Sequence, residues 1–95
     1  MSQYERNYIL GRVPSAALFE QMAEECSELS HACLKAARAL RNENPTPVGY
    51  HEALDKISEE FTDVMLVASM LPVMEIDSYL YAEKLTRWFE RVRDN

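Results

Sequence analysis

The sequence predicts an all-α fold, and three observations carry the prediction. Long stretches between residues 15 and 42, 50 and 71, and 73 and 95 contain neither Gly nor Pro. Within them, apolar residues recur at spacings of three and four, the period of one helix face. No run shows the strict alternation of a half-buried strand. The expectation is a bundle of three main helices, completed by homo-oligomerisation.

Size and composition set the frame. The chain has 95 residues, 47% hydrophobic and 27% charged, a globular composition. It reads as a single domain, 1–95, in which residues 1–13 form an N-terminal arm or short helix. So short a chain buries a limited core, and three helices leave apolar surface over, hence the expected self-association. The 16 acidic against 10 basic residues give a net charge of −6. That argues against electrostatic wrapping of a nucleic acid polymer, which needs a basic surface. No stretch reads as a signal peptide. The most apolar segment, Val64 to Met74, contains Pro72 and is too short to cross a bilayer. The expectation is a cytoplasmic protein without a membrane partner.

The elements follow in order. Gly11 is expected to break the pattern of Tyr4, Tyr8, Ile9 and Leu10. Val13-Pro14-Ser15 starts the first long helix, since Pro suits a first turn and Ser a cap. Its apolar stripe is Phe19, Met22, Cys26, Leu29, Cys33, Ala36 or Ala37, and Leu40. Gln21, Glu25, Glu28, Ala32 and Lys35 run beside it, so Glu25 is expected at the rim of the packing face and Glu28 further out. Cys26 and Cys33 are seven residues apart, about 10 Å along a helix, too far for a disulfide. They are expected to be buried free thiols, and the absence of a Cys-x-x-Cys pair speaks against zinc.

Asn42 to Gly49 reads as a loop from its two Pro, one Gly and two Asn. The second long helix is expected from about Glu52 to Leu71, with the stripe Leu54, Ile57, Phe61, Val64, Ala68 and Leu71. Lys56, Glu60, Asp63 and Val67 line its edge. Leu66 and Met70 on the outer side suggest burial on more than one face. Asp77 or Ser78 caps the third helix, which runs to about Val92. Leu80, Leu85, Trp88, Phe89 and Val92 supply its apolar content, and Lys84, Arg87 and Arg91 place positive charges at spacings of three and four.

The acidic residues carry the chemistry. Residues three apart on a helix are surface neighbours, so Glu25 with Glu28, and Glu60 with Asp63, each form a carboxylate pair. Two packed helices would face the pairs toward one another. Without a cation the four acids repel and their pKa values rise; a hard cation such as Mg²⁺ prefers carboxylate oxygen. The plain alternative is that these acids are ordinary solvated residues flanking apolar stripes.

Glu24-Glu25-x-x-Glu28 followed by Glu60-x-x-Asp63 resembles the paired signature of the MazG-like all-α nucleoside triphosphate pyrophosphohydrolases, over roughly residues 15 to 92. The resemblance implies Mg²⁺-dependent hydrolysis between the α- and β-phosphates of a (d)NTP, giving a monophosphate and pyrophosphate, in nucleotide-pool cleansing. Mn²⁺ is the expected substitute metal. Glu25, Glu28, Glu60 and Asp63 match the metal ligands. Glu24 matches the first Glu, which assists a second metal or the attacking water. Lys84 and Arg87 correspond to basic residues that meet phosphates on the following helix. Lys35 and Lys56 share stripes with the acids and are candidates for the same task. The family's bundle is completed in a dimer or tetramer.

Two other readings stand beside this one. Glu28-Leu29-Ser30-His31 has the Glu-x-x-His spacing of helical di-iron carboxylate proteins, with a second copy needed to supply the second pair. A non-enzymatic oligomerisation or adaptor domain would use Trp88, Phe89, Tyr79 and Tyr81 as core or contact residues.

Overall fold

The computed structural model describes residues 2–43, 49–72 and 74–95. Its elements are α1 (Gln3–Arg12), α2 (Ser15–Leu40), α3 (Tyr50–Ala68) and α4 (Ser78–Arg93), and no strand occurs among the described residues. The all-helical class is as expected. Within the chain and among the described residues, α2 packs against α3, while α4 packs against no other helix.

Between residues 2 and 13 the chain forms a short helix, α1. Ser2 caps α1 through a capping box, its Oγ accepting from the Glu5 amide while the Glu5 side chain accepts from the Ser2 amide. This satisfies two otherwise orphaned N–H groups. Gly11 does not break the helix, which runs on to Arg12; a mid-helix Gly costs about 1 kcal/mol relative to Ala, too little to stop a capped turn. Val13 and Pro14 make the corner, and Pro14 occupies the N-cap of α2 in place of a Ser15 cap.

α2 is 26 residues long, about 39 Å at 1.5 Å per residue. Asn42 ends it in the left-handed region at φ 55°, one of the few residue types that tolerates this. The Glu43 amide then donates to the Arg38 carbonyl (2.9 Å) and the Asn42 amide to that of Ala39 (3.3 Å), the two bonds of a Schellman ending. The loop expected over Asn42–Gly49 is described only at its ends, since residues 44–48 lie outside the described set. α3 starts at Tyr50, two residues earlier than expected. It closes at Ala68 rather than Leu71, consistent with the restriction that Pro72 places on the residue before it. Asp77 caps α4 as expected, accepting from the Leu80 amide.

The packing seam is turned from the expected stripe. Leu18, Met22, Ala32 and Ala36 are the buried residues of α2, with Glu25 and Leu29 half-buried between them. On α3 the seam is Ala53, Ile57, Glu60, Val64 and Val67, continued by Leu71 beyond its end. Both series step by threes and fours. Three layers result. Leu18, Met22 and Leu71 form an apolar cluster with Val13, Val64, Val67, Ala68 and Met70 packed on it. Ala32, Ala36 and Ala53 form a small-residue layer. Glu25 and Glu60 lie between the two.

The alanines explain the turn. Small residues at the contact let two helices approach closely, whereas a seam through Phe19 and Phe61 would hold them apart. Phe19, Leu54 and Phe61 are left exposed, at 45%, 40% and 52%. Cys26 and Cys33 are exposed too, which corrects their expected burial: both sit on the flank that the turn moved outward. Of the two residues expected on the outer side, Leu66 of α3 is exposed, and Met70, past the end of α3, is half-buried against the apolar cluster.

α4 gives the largest correction. Every one of its residues is exposed, including Leu80, Leu85, Trp88, Phe89 and Val92. These do not form a core within one chain. The Cα radius of gyration is 17.2 Å, against about 12 Å for a compact domain of this length.

Candidate metal centre

The middle layer of the α2–α3 seam holds the chemistry. Oxygen atoms of Glu25, Glu60 and Asp63 lie within 4.8 Å of one another. Glu60 is 5% exposed and is the single buried charged residue among those described; Glu25 and Asp63 are half-buried. Helix spacing produces this arrangement. Glu60 and Asp63 are three apart on α3, Glu25 is on the facing side of α2, and the alanine layer keeps the helices close.

Each glutamate is tethered in the same way. Gln21 Nε2 donates to Glu25 Oε1 at 2.8 Å, and Lys56 Nζ pairs with Glu60 Oε1 at 2.9 Å. In both cases the tether comes from four residues earlier on the same helix. In both cases the second oxygen, Oε2, is buried without a hydrogen-bond partner. Two orphaned carboxylate oxygens in one layer are costly, since a buried carboxylate lacking a partner loses its hydration uncompensated. Shared coordination of a cation would remove that cost. The donor set is all oxygen, which fits a hard divalent ion.

The electrostatics agree with this crowding. Glu28 is exposed at the mouth of the layer, and its pKa is raised chiefly by the Glu25 carboxylate and then by that of Glu60. The Glu60 pKa is lowered, first by the hydrogen bond from Lys56 and against the opposing effect of burial. Lys56 is raised in turn by the hydrogen bond to Glu60 and the charge of Glu59.

A cleft of about 190 Å³ opens from the carboxylates, lined by Glu28, His31, Ala32, Lys35, Lys56 and Glu60. A smaller one of about 140 Å³ adjoins it, between Lys35, Lys56, Glu52 and the alanines. The sequence candidates therefore divide. Glu25, Glu60 and Asp63 come together, and Glu28, Lys35 and Lys56 line the cleft beside Glu60. Glu24 does not join the carboxylate group; it is exposed, and its charge is the smallest of the influences on Glu28. Lys84 and Arg87 stand on α4, which packs on neither carboxylate-bearing helix. There Arg87 pairs with Glu83 at 2.6 Å. A broad concavity of about 860 Å³ lies along α4 beside them, but its walls belong to that one helix and it encloses nothing.

No family model, no curated protein and no solved structure matches the chain. Gln21 is the participant missed at the sequence level. The signal was available: it precedes Glu25 by four residues, as Lys56 precedes Glu60, and residues four apart on a helix are in reach. Among the described residues, no helix is long and apolar enough to cross a membrane.

Proposed function

We propose that the chain is a Mg²⁺-dependent nucleoside triphosphate pyrophosphohydrolase, converting a (d)NTP and water to the monophosphate and pyrophosphate. One observation supports the reading above the rest: Glu25 and Glu60 place orphaned oxygens beside Asp63 in the middle of an otherwise apolar seam. Apolar residues at both positions would pack the seam at less cost, so its stability alone does not account for them. The resemblance of Glu24-Glu25-x-x-Glu28 and Glu60-x-x-Asp63 to the MazG-like signature supplies the reaction class.

In this mechanism Glu25, Glu60 and Asp63 would hold the cation, with Glu28 at the mouth of the layer. Bound there, Mg²⁺ or Mn²⁺ would neutralise phosphate charge and activate water. Lys35 and Lys56 line the adjoining clefts and meet the polyphosphate. Water adds to the α-phosphorus, the bond to the α–β bridging oxygen breaks, and pyrophosphate leaves with that oxygen. No side chain needs to act as a nucleophile. The all-oxygen donor set favours a hard cation over the nitrogen-containing di-iron set, because His31 is exposed and lies outside the carboxylate group.

Self-association belongs to the same proposal. α4 carries Lys84, Arg87, Arg91 and Arg93 against Glu83 and Glu90, and its apolar residues are uncovered. α2 and α3 are acidic and leave Phe19, Phe61, Met65 and Leu66 exposed. α4 of a second copy complements that surface in charge and hydrophobicity, and would carry Lys84 and Arg87 toward the carboxylates.

The test is pyrophosphate release from a panel of canonical and modified (d)NTPs, with Mg²⁺ and with EDTA. Metal-dependent release with the matching monophosphate is expected. A folded protein that releases none from any nucleotide would leave the adaptor reading.

A further inference from the structure

Glu60 is buried, yet one cation already reaches it. Lys56 Nζ lies 2.9 Å from its Oε1 and 3.7 Å from Glu59 Oε2. The two ends of the pair differ sharply in setting: the Lys56 side chain is 54% exposed and that of Glu60 7%. A lysine is a point charge on a flexible four-carbon stem, so this partner is able to leave without disturbing the seam. It also has somewhere to go, since Lys56 lines both clefts, each time together with Lys35. Among the described residues Lys35 has no ion-pair partner, so the clefts hold a second ammonium group without a fixed acid.

We infer that Lys56 is a resident counter-ion: it holds Glu60 before the divalent cation arrives, competes with that cation for Glu60, and on release turns its charge into the cleft. The inference rests on the metal-site reading above. A buried carboxylate requires compensation at all times. The ammonium supplies it to Oε1 alone and leaves Oε2 orphaned. A divalent ion shared by Glu25, Glu60 and Asp63 satisfies both orphaned oxygens and brings more positive charge than Lys56. It weakens the hold on Nζ by charge repulsion. A group that opposes cation binding in this way is itself released by the cation. By linkage, the two effects are equal in size. Lys56 would thus couple occupancy of the metal centre to readiness for an anionic polyphosphate, and the cation would bind first.

The experiment is a Mn²⁺ titration without nucleotide, following the EPR signal of free Mn²⁺, on the full chain and on Lys56→Met, Lys56→Arg and Lys35→Met. Lys56→Met is expected to bind Mn²⁺ roughly tenfold more tightly than the parent, the scale of one charge-assisted hydrogen bond removed. Lys35→Met deletes the same charge from the same cleft without touching Glu60, and is expected to change affinity by under about twofold. Lys56→Arg keeps the counter-ion and is expected to bind no more tightly than the parent. Equal gains in Lys56→Met and Lys35→Met would reduce the effect to net charge and overturn the inference, leaving the metal centre intact. An unchanged affinity in Lys56→Met would do the same. No Mn²⁺ binding by any of the four proteins would overturn the inference and the metal reading together. Lys56→Met leaves Glu60 uncompensated, so its metal-free melting temperature should fall and Mn²⁺ should restore it. If it is unfolded without metal, recovery of the helical circular dichroism on adding Mn²⁺ supports the inference and its absence overturns it.

Discussion

Glu60 occupies a position that its neighbours on the seam fill with Ala, Ile and Val. Its burial raises its pKa and Lys56 lowers it, and Lys56 prevails. Among the described residues Glu28 has no ion-pair partner, and its pKa is raised chiefly by the Glu25 carboxylate and then by Glu60. The two groups act oppositely on stability. The folded-state pKa of Glu28 lies above the ordinary 4.5, so the folded form takes up its proton first, and metal-free stability rises as pH falls from neutral toward 4.5. Glu60 is depressed below 4.5, so its contribution is present above that value and is lost as pH falls further. Melting curves in EDTA between pH 7.5 and 3.5 should show this rise and fall. Glu28→Gln should remove the rise and melt above the parent at pH 7. Under the proposed function, Asp63→Asn is expected to abolish pyrophosphate release with little loss of melting temperature, since it would delete a ligand and relieve repulsion. Full turnover in that variant would remove Asp63 from the metal centre. Excess Mg²⁺ should raise the melting temperature of the parent but not of Glu60→Ala, a difference readable by calorimetry.

Between helices, the alanine layer decides which acids meet. Ala32 and Ala53 are both 4% exposed and Ala36 6%, so their methyl groups lie within the contact between α2 and α3. Ala53→Leu should cost roughly 1–3 kcal/mol by overpacking and weaken Mn²⁺ affinity by separating Glu25 from Glu60; denaturant unfolding and a Mn²⁺ titration measure the two effects. This layer also marks the limit of what the sequence revealed. The long helices, their Asn42 and Asp77 boundaries, and the closeness of Glu25, Glu60 and Asp63 were legible, because three- and four-residue spacing fixes which side chains share a face. The rotation of the seam was not. Two overlapping apolar stripes competed on α2, and hydrophobicity favoured the one with Phe19, Cys26 and Cys33. Close approach through alanines favoured the other, and that is a property of the facing helix as much as of α2 itself. The fate of α4 was hidden for a similar reason. Its periodicity shows an apolar face, but a period does not say whether the surface that covers it belongs to the same chain.

For the whole molecule, one helical hairpin carries the interior. Among the described residues its buried apolar side chains are Leu18, Met22 and Leu71 with three alanines, and each of the larger three contributes at most about 1.5–3 kcal/mol. Trp88, at 64% exposure, stands where a second copy would press. Trp88→Asp should therefore shift the protein to a smaller species in light scattering coupled to gel filtration, and blue-shifted Trp fluorescence in the parent should move to the red. A parent that runs as a monomer at all concentrations, with Trp88 fully solvated, would remove the association proposed for α4.

The detachment of α4 from its own chain has a kinetic consequence. A helix that finds its partner only on another molecule makes the last step of folding bimolecular. Refolding from denaturant should then speed up with protein concentration instead of following a single first-order rate. Dilution should slowly reverse that step, so specific activity would fall after a lag set by dissociation. Under the association proposed for α4, output would rise more steeply than the number of chains made, and the abundance of the protein would set its activity.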